Sequence, residues 1–224
     1  MLKTQQSEIR VECRGESISL RGDGTVYLPS THSLLVADLH FGKAASFRAH
    51  GVPVPIGSHE TDLKRLSVAI DMTQANQLVF LGDLVHDAKS LTPKLIETFS
   101  VWRNQHSSMK LTLVRGNHDR HVRTFPDAWN MNVVDEVQMG PFNLVHETTE
   151  PTPDDEHPFQ MGGHWHPVTT VGRGSDRMRL RCFVLSEHDL VLPAFGSFTG
   201  GMNQTRKQNQ RYFVIGDSCI WPVD

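Results

Sequence analysis

Hydrophobic and polar positions along the chain follow two periods. Up to about residue 30 the apolar positions come in short alternating pieces, EIRVEC, ESISLR and TVYLP, broken at Arg14-Gly15 and Gly22-Asp23-Gly24. This predicts a β-hairpin region leading into a first buried strand, SLLVADL. Continuous apolar runs recur at QLVFLGD and KLTLVRGN, as expected of strands covered on both faces. Between the runs the period becomes helical. Leu63, Leu66 and Ile70 share one face after Ser58, and Leu95, Phe99 and Trp102 share one after a Thr92-Pro93 start signal. The order β-α-β-α-β predicts an α/β core. Downstream, VVDEVQM, FNLVHE, RMRLRCFVL, DLVLPAF and RYFVIGD follow one another with turn residues between them and no clear helix. The expected architecture is α/β, with two mixed β-sheets packed as a sandwich and flanked by helices. Glu147 to Pro158, ETTEPTPDDEHP, is polar, acidic and Pro-rich and reads as a surface loop, so residues 1–224 are expected to form a single domain.

Composition narrows the function classes. A chain of 224 residues with 38% hydrophobic content can bury one sizeable core. Its formal net charge of -3 gives no global attraction to nucleic acid, so a polyanion would have to be held by a local basic patch or by metal ions. Cys13, Cys182 and Cys219 are far apart and lack C-x-x-C spacing, which fits a reducing cytosol. The first residues, MLKTQQSEIR, hold no apolar targeting run, and no stretch reaches the ~18 apolar residues of a membrane span. The expectation is a soluble cytoplasmic protein with no membrane partner.

The chemistry-bearing residues cluster where predicted strands end. Asp38-Leu-His40, Gly82-Asp83-Leu-Val-His86-Asp87, Gly116-Asn117-His118-Asp119 and Gly162-Gly163-His164-Trp-His166 are four such clusters, and His146 closes FNLVH as a fifth candidate. Ligands of open α/β sheets gather outside the carboxyl ends of the strands, so segments distant in sequence can converge there. A single Asp-x-His or His-x-His is common by chance, and a lone strand-end His is often only a satisfied polar group. Five in order after buried-strand patterns point instead to a two-metal centre. Mixed Asp, Asn and His donors suit Mn, Fe or Zn better than Mg or Ca, and one carboxylate can bridge two cations. The glycines before Asp83, Asn117 and His164 would let backbone approach closely.

The ordered set D-x-H, G-D-x-x-H-D, G-N-H-D, H and G-H-x-H resembles the calcineurin-like binuclear metallophosphoesterase superfamily over Asp38 to His166. More narrowly, ADLHFGKAASFRAHGVPVP (Ala37 to Pro55) and LPAFGSFTGG (Leu192 to Gly201) resemble the ligase-associated DNA-damage-response metallophosphoesterases, a manganese-dependent endonuclease family found alongside a DNA ligase, a helicase and an exonuclease. Two departures from the general superfamily pattern are His86 in the second motif and His146 followed by Glu147, where many relatives have Gly-His. The resemblance implies that Asp38, His40 and His166 hold one metal, Asn117, His146 and His164 the other, and that Asp83 bridges them. The implied cofactors are two divalent ions, manganese first, with iron or zinc as alternatives. The implied nucleophile is a hydroxide shared by both ions. His118 would act on the leaving oxygen, with Asp119 or another carboxylate holding its tautomer.

The implied substrate is single-stranded or distorted DNA. Lys43 and Arg48 would hold its neighbouring phosphates, with Arg115, Arg120 and Arg123 as a second basic set and His86 as a further residue at the phosphate. Phe41, Phe47, Phe195 and Phe198 are candidates for stacking on unpaired bases or for core packing. The same metal core would also serve a phosphodiesterase or phosphatase acting on small nucleotides, and the same fold a non-catalytic interaction module.

Overall fold

The computed structural model describes residues 6–49, 51–54, 57–151 and 158–223. Residues 152–157 of the acidic loop and residues 50 and 55 of the stretch after the first cluster therefore lie outside the described residues. The first sheet holds β1 (Glu8–Cys13), β2 (Glu16–Arg21), β3 (Val26–Leu28), β4 (Ser33–Val36), β5 (Gln77–Leu81), β6 (Lys110–Val114) and β7 (Met131–Val134), side by side in chain order. Pairing is antiparallel from β1 to β4 and parallel from β4 to β7. The change of direction follows from the connections: tight turns join the first strands, whereas parallel neighbours need a crossover. The crossovers contain α1 (Lys43–Ala49) and α2 (Ser58–Thr73) before β5, and α3 (Pro93–Gln105) before β6.

The helices form where the pattern placed them. In α2 the buried positions include Leu63, Leu66 and Ile70, and in α3 they include Leu95, Phe99 and Trp102. The Thr92 side chain caps α3 by accepting the Leu95 N–H, with Pro93 in its first turn. The seven-residue α1 has no apolar repeat long enough to announce it, and its helical state was not legible in the sequence.

The second sheet is built from β8 (Val137–Met139), β9 (Phe142–Leu144), β10 (Phe159–Gly162), β11 (Pro167–Val171), β12 (Met178–Leu185), β13 (Asp189–Val191), β14 (Met202–Asn203), β15 (Arg211–Gly216) and β16 (Cys219–Val223). It runs β14-β11-β12-β13-β10-β9-β8, with β15 joining β12 and β16 joining β15. VVDEVQM, expected as one strand, is two: the chain breaks at Asp135-Glu136 and crosses from β7 in one sheet to β8 in the other.

Strand alternation divides the core. Leu35, Val79, Leu81 and Val114 face the second sheet and pack with Phe142, Met161, Phe183 and Phe213. Leu34, Val36, Leu78, Phe80 and Leu113 face the other way and pack under the helices with Phe99, Trp102 and Trp129. The outer face of the second sheet carries a small cluster of Cys182, Val184, Val191, Tyr212 and Val214, with Trp165 and Trp221 packed against it. Helices thus lie on one side of the sandwich only, among the described residues. No helix among those residues is long and apolar enough to cross a membrane.

Candidate metal centre

Because β4, β5 and β6 are parallel neighbours, their carboxyl ends open on one edge, and Asp38, Asp83 and Asn117 leave the sheet there. The loops after β4 and β5 then run together. The N–H of His40 donates to the Asp83 carbonyl at 2.8 Å, that of Phe41 to Leu84 at 2.9 Å, and that of His86 back to Phe41 at 2.9 Å. The second sheet supplies the rest: His146 follows β9, His164 follows the neighbouring β10, and Gly163 N–H donates to the His146 carbonyl at 2.8 Å.

These segments bring two donor groups together around one carboxylate. Asp38, His40, Asp83 and His166 form the first group, and Asp83, His146 and His164 the second. In the first, His40 Nε2 lies 3.5 Å from Asp83 Oδ2 and 3.4 Å from His166 Nε2, and His166 Nε2 lies 3.4 Å from Asp38 Oδ1. In the second, His146 Nε2 lies 3.5 Å from Asp83 Oδ1 and 3.1 Å from His164 Nδ1. Asn117 Oδ1 joins this group at 2.9 Å from His146 Nε2 and 3.2 Å from His164 Nδ1. The donors fit cations. Asp38 Oδ2 accepts the His164 N–H at 2.9 Å, but Asp38 Oδ1 is buried without a hydrogen-bond partner. A bare carboxylate oxygen in a low-dielectric interior is costly unless a positive charge faces it.

Backbone strain concentrates in the same place. Asp38, His40, Asp83, His164 and His166 all have φ between 43° and 67°, the left-handed region. Each such residue costs roughly 1–3 kcal/mol and persists where its surroundings over-determine it. Two glycines permit the tight packing. A Cβ at Gly116 would overlap the backbone N and Oδ1 of Asp83, and one at Gly163 would overlap Asp38 Oδ2.

Burial pushes the His40 imidazole down to about 2, and the nearby Lys43 cation acts in the same direction. The ring is therefore neutral, the state in which it can ligate. His86 is also lowered, by burial first and then by His118 and Lys43. Lys43 is lowered by burial and held up by Asp83 and Asp38, which puts its ammonium within the field of both carboxylates.

His118 stands beside the shared carboxylate, with Nε2 4.0 Å from Asp83 Oδ2. Its Nδ1 meets the His86 carbonyl, and its ring stacks on that of His86 at 5.1 Å. The carbonyl, and not Asp119, therefore holds the His118 tautomer. Asp119 is fully buried and accepts the N–H groups of Leu84, Val85 and Gly116 at 3.3, 3.2 and 3.0 Å. It ties the second motif to the third. Burial pushes its carboxyl up to about 6 against those donors.

Arg48 hydrogen-bonds the Val54 carbonyl at 3.4 Å, Arg120 is exposed on the turn Asp119–His121, and Arg115 and Arg123 line a cavity beside β7. Phe41 and Phe195 are core residues, whereas Phe47 is 40% exposed. A support that the sequence did not reveal lies under the Asp38 turn. Phe195 and Gly196 N–H groups donate to the Ala37 and Asp38 carbonyls. Arg65 and Arg181 fasten the same loop through the Ala194, Phe195 and Gly196 carbonyls, and Asp62 accepts the Ser197 N–H at 3.0 Å.

The calcineurin-like phosphoesterase profile matches residues 32–193. Among solved structures, a Pseudomonas putida nuclease, MPE, is 37% identical and superposes with a TM-score of 0.81 over 96% of this chain and 100% of its own. Yfce, a phosphoesterase from E. coli, is 14% identical over 83% of this chain and 88% of its own, with a TM-score of 0.38. A search of curated proteins finds no match. From the profile match and the identity to a nuclease over nearly its whole length, the chain belongs to the calcineurin-like phosphoesterase family.

Proposed function

We propose that this phosphoesterase is a manganese-dependent DNA endonuclease that hydrolyses phosphodiesters in single-stranded or distorted DNA during repair. The observation that carries the reading is the pair of donor groups meeting at Asp83, with His118 Nε2 beside it. The nuclease among the similar structures supports nucleic acid as the substrate. Association with a DNA ligase, a helicase and an exonuclease in the cytoplasm belongs to the same proposal.

Asp38, His40 and His166 would hold one cation and Asn117, His146 and His164 the other, with Asp83 between them. Two bound divalent ions supply Lewis acidity at the phosphate and acidify a water. The chain's own residues do the rest. Hydrolysis forms one P–O bond to the water oxygen and breaks one P–O bond to the sugar, whose oxygen needs a proton. In its protonated form His118 carries that proton on Nε2, because Nδ1 is engaged by the His86 carbonyl. Lys43 offsets charge on the reacting phosphate, and His86 orients His118 by stacking. Arg120 contacts the flanking strand, and Asp119 positions the loops.

The test is a panel of substrates with Mn²⁺ and the purified protein: a single-stranded oligonucleotide, a perfect duplex, a small diester, a phosphate monoester and a cyclic nucleotide. Cleavage of the single strand in preference to the duplex and the monoester is expected. A far larger kcat/KM on a nucleotide than on the oligonucleotide would move the assignment to small-nucleotide hydrolysis. Absence of bound Mn, Fe or Zn together with no turnover would make the fold a non-catalytic module.

A further inference from the structure

The strand end that leads to Asn117 also carries a cation that the metal centre does not absorb. Arg115 opens into a cavity of about 420 Å³ at the β7 edge of the first sheet, whose walls include Arg123, Thr124, Phe125, Asp127 and Asn130. Arg115 Nε is buried and has no hydrogen-bond partner. Among the described residues neither Arg115 nor Arg123 makes an ion pair or a side-chain hydrogen bond, so Asp127, the one carboxylate of the lining, is bonded to neither.

A buried donor without an acceptor costs ~1–3 kcal/mol, and Arg123 brings a second guanidinium to the same cavity. An oxyanion there supplies the missing acceptor and meets both cations. The planar guanidinium fork matches a phosphate with two parallel N–H···O bonds, and Thr124 and Asn130 add neutral donors at the wall. Position favours a phosphate of a strand already held at the metals. Arg115 is two residues before Asn117, so their Cα atoms are less than about 8 Å apart. That span is of the order of the spacing between neighbouring phosphates of a strand.

We infer that the Arg115 and Arg123 cavity is a subsite for a non-scissile backbone phosphate of the nucleic-acid strand cleaved at the metal centre. The inference rests on the nuclease reading. It assigns these arginines to substrate length and salt dependence, not to the bond that breaks.

Arg123→Ala, Arg115→Gln and the double variant test it, with two readouts. One is the ratio of kcat/KM on a single-stranded oligonucleotide to that on a small diester, with Mn²⁺ present. The other is equilibrium binding of a labelled oligonucleotide to the full chain in metal-free buffer across a salt series. The ratio should fall ~10-fold per arginine, and the slope of log K against log salt should become shallower by ~1 for each. Wild-type ratio and slope in both single variants would overturn the subsite, as would equal losses on both substrates. Arg123 is exposed, so its variant decides the matter if Arg115→Gln lowers the thermal unfolding midpoint. Should the wild type cleave the small diester and not the oligonucleotide, the nuclease reading fails by itself. An unchanged salt slope in the variants would then show that the cavity holds no backbone phosphate either, whereas a shallower one would overturn only its link to cleavage and leave a phosphate site for an uncleaved strand.

Discussion

The backbone N–H of His118 donates to Asp83 Oδ1 at 3.0 Å, while the His118 ring holds Nε2 4.0 Å from Asp83 Oδ2. One carboxylate thus has its first oxygen steadied by the third motif and its second oxygen facing His40 at 3.5 Å. It is the only residue shared by the two donor groups that hold His166 and His164, among the described residues. Replacing Asp83 by Ala should therefore remove bridging at both positions together. Metal content measured after gel filtration should fall from two ions toward none, with affinity lost by more than ~100-fold. Retention of one tightly bound ion would show that the groups are independent.

His118→Ala should separate metal binding from rate. The ring lies beside Asp83 but outside the two groups centred on it; it meets His40 and His86 in a third cluster of possible donors, where its Nδ1 is taken by the His86 carbonyl. The expected variant keeps its metal and loses ~10²–10⁴-fold in kcat on the small diester. The loss should be smaller on a diester with a very good leaving group, which needs no proton. A variant that instead loses metal would make His118 a ligand.

How far the site was legible depended on the kind of link involved. Asp38, Asp83 and Asn117 follow apolar runs, and parallel pairing of β4, β5 and β6 is enough to bring them to one edge. His146, His164 and His166 come from the second sheet, where the sequence marked the residues but not the pairing of β9 with β10 that aligns two of them. Hydrogen bonds to main chain were not legible at all. Nothing in the sequence distinguishes an Asp119 that orients His118 from one that accepts three backbone N–H groups. The Arg65 and Arg181 contacts under Phe195 likewise join residues more than a dozen positions apart through carbonyls, which every residue has. The left-handed φ at Asp38 and Asp83 falls on a residue type that tolerates it, but nothing local distinguishes these aspartates from the others.

Asp119 makes a pH prediction. Its carboxyl is raised from 3.8 to about 6, chiefly by burial. Between these values the folded chain keeps a proton that the unfolded chain has released, so this group's contribution to stability declines as pH rises from about 4 to about 6. In the metal-free protein, Asp119→Asn should flatten that part of the stability profile. It should also cost ~1–3 kcal/mol, because an amide has one acceptor oxygen and would turn its NH₂ toward a backbone N–H. Urea unfolding at several pH values reads both effects. An Asn variant as stable as the wild type, with an unchanged slope, would remove Asp119 from the role of tying the two motifs.

Lys43 and Arg48 share the short helix α1, yet their surroundings predict different losses. Lys43 feels the carboxylates of Asp83 and Asp38, which puts its charge on the side of the metal centre. Arg48, in the last turn, bonds the Val54 carbonyl at 3.4 Å, on the chain leading away from the metal centre. Lys43→Ala should lower kcat/KM on a small diester and on an oligonucleotide by similar factors, on the order of 10²-fold, as expected when a charge facing the transition state is removed. Arg48→Ala should lower only the oligonucleotide value, by ~10-fold, and should make oligonucleotide binding less sensitive to salt. The two effects are separable because a small diester has no flanking phosphate. Equal losses on both substrates for Arg48→Ala would bring that guanidinium to the scissile bond, and a selective loss for Lys43→Ala would move the ammonium out along the strand.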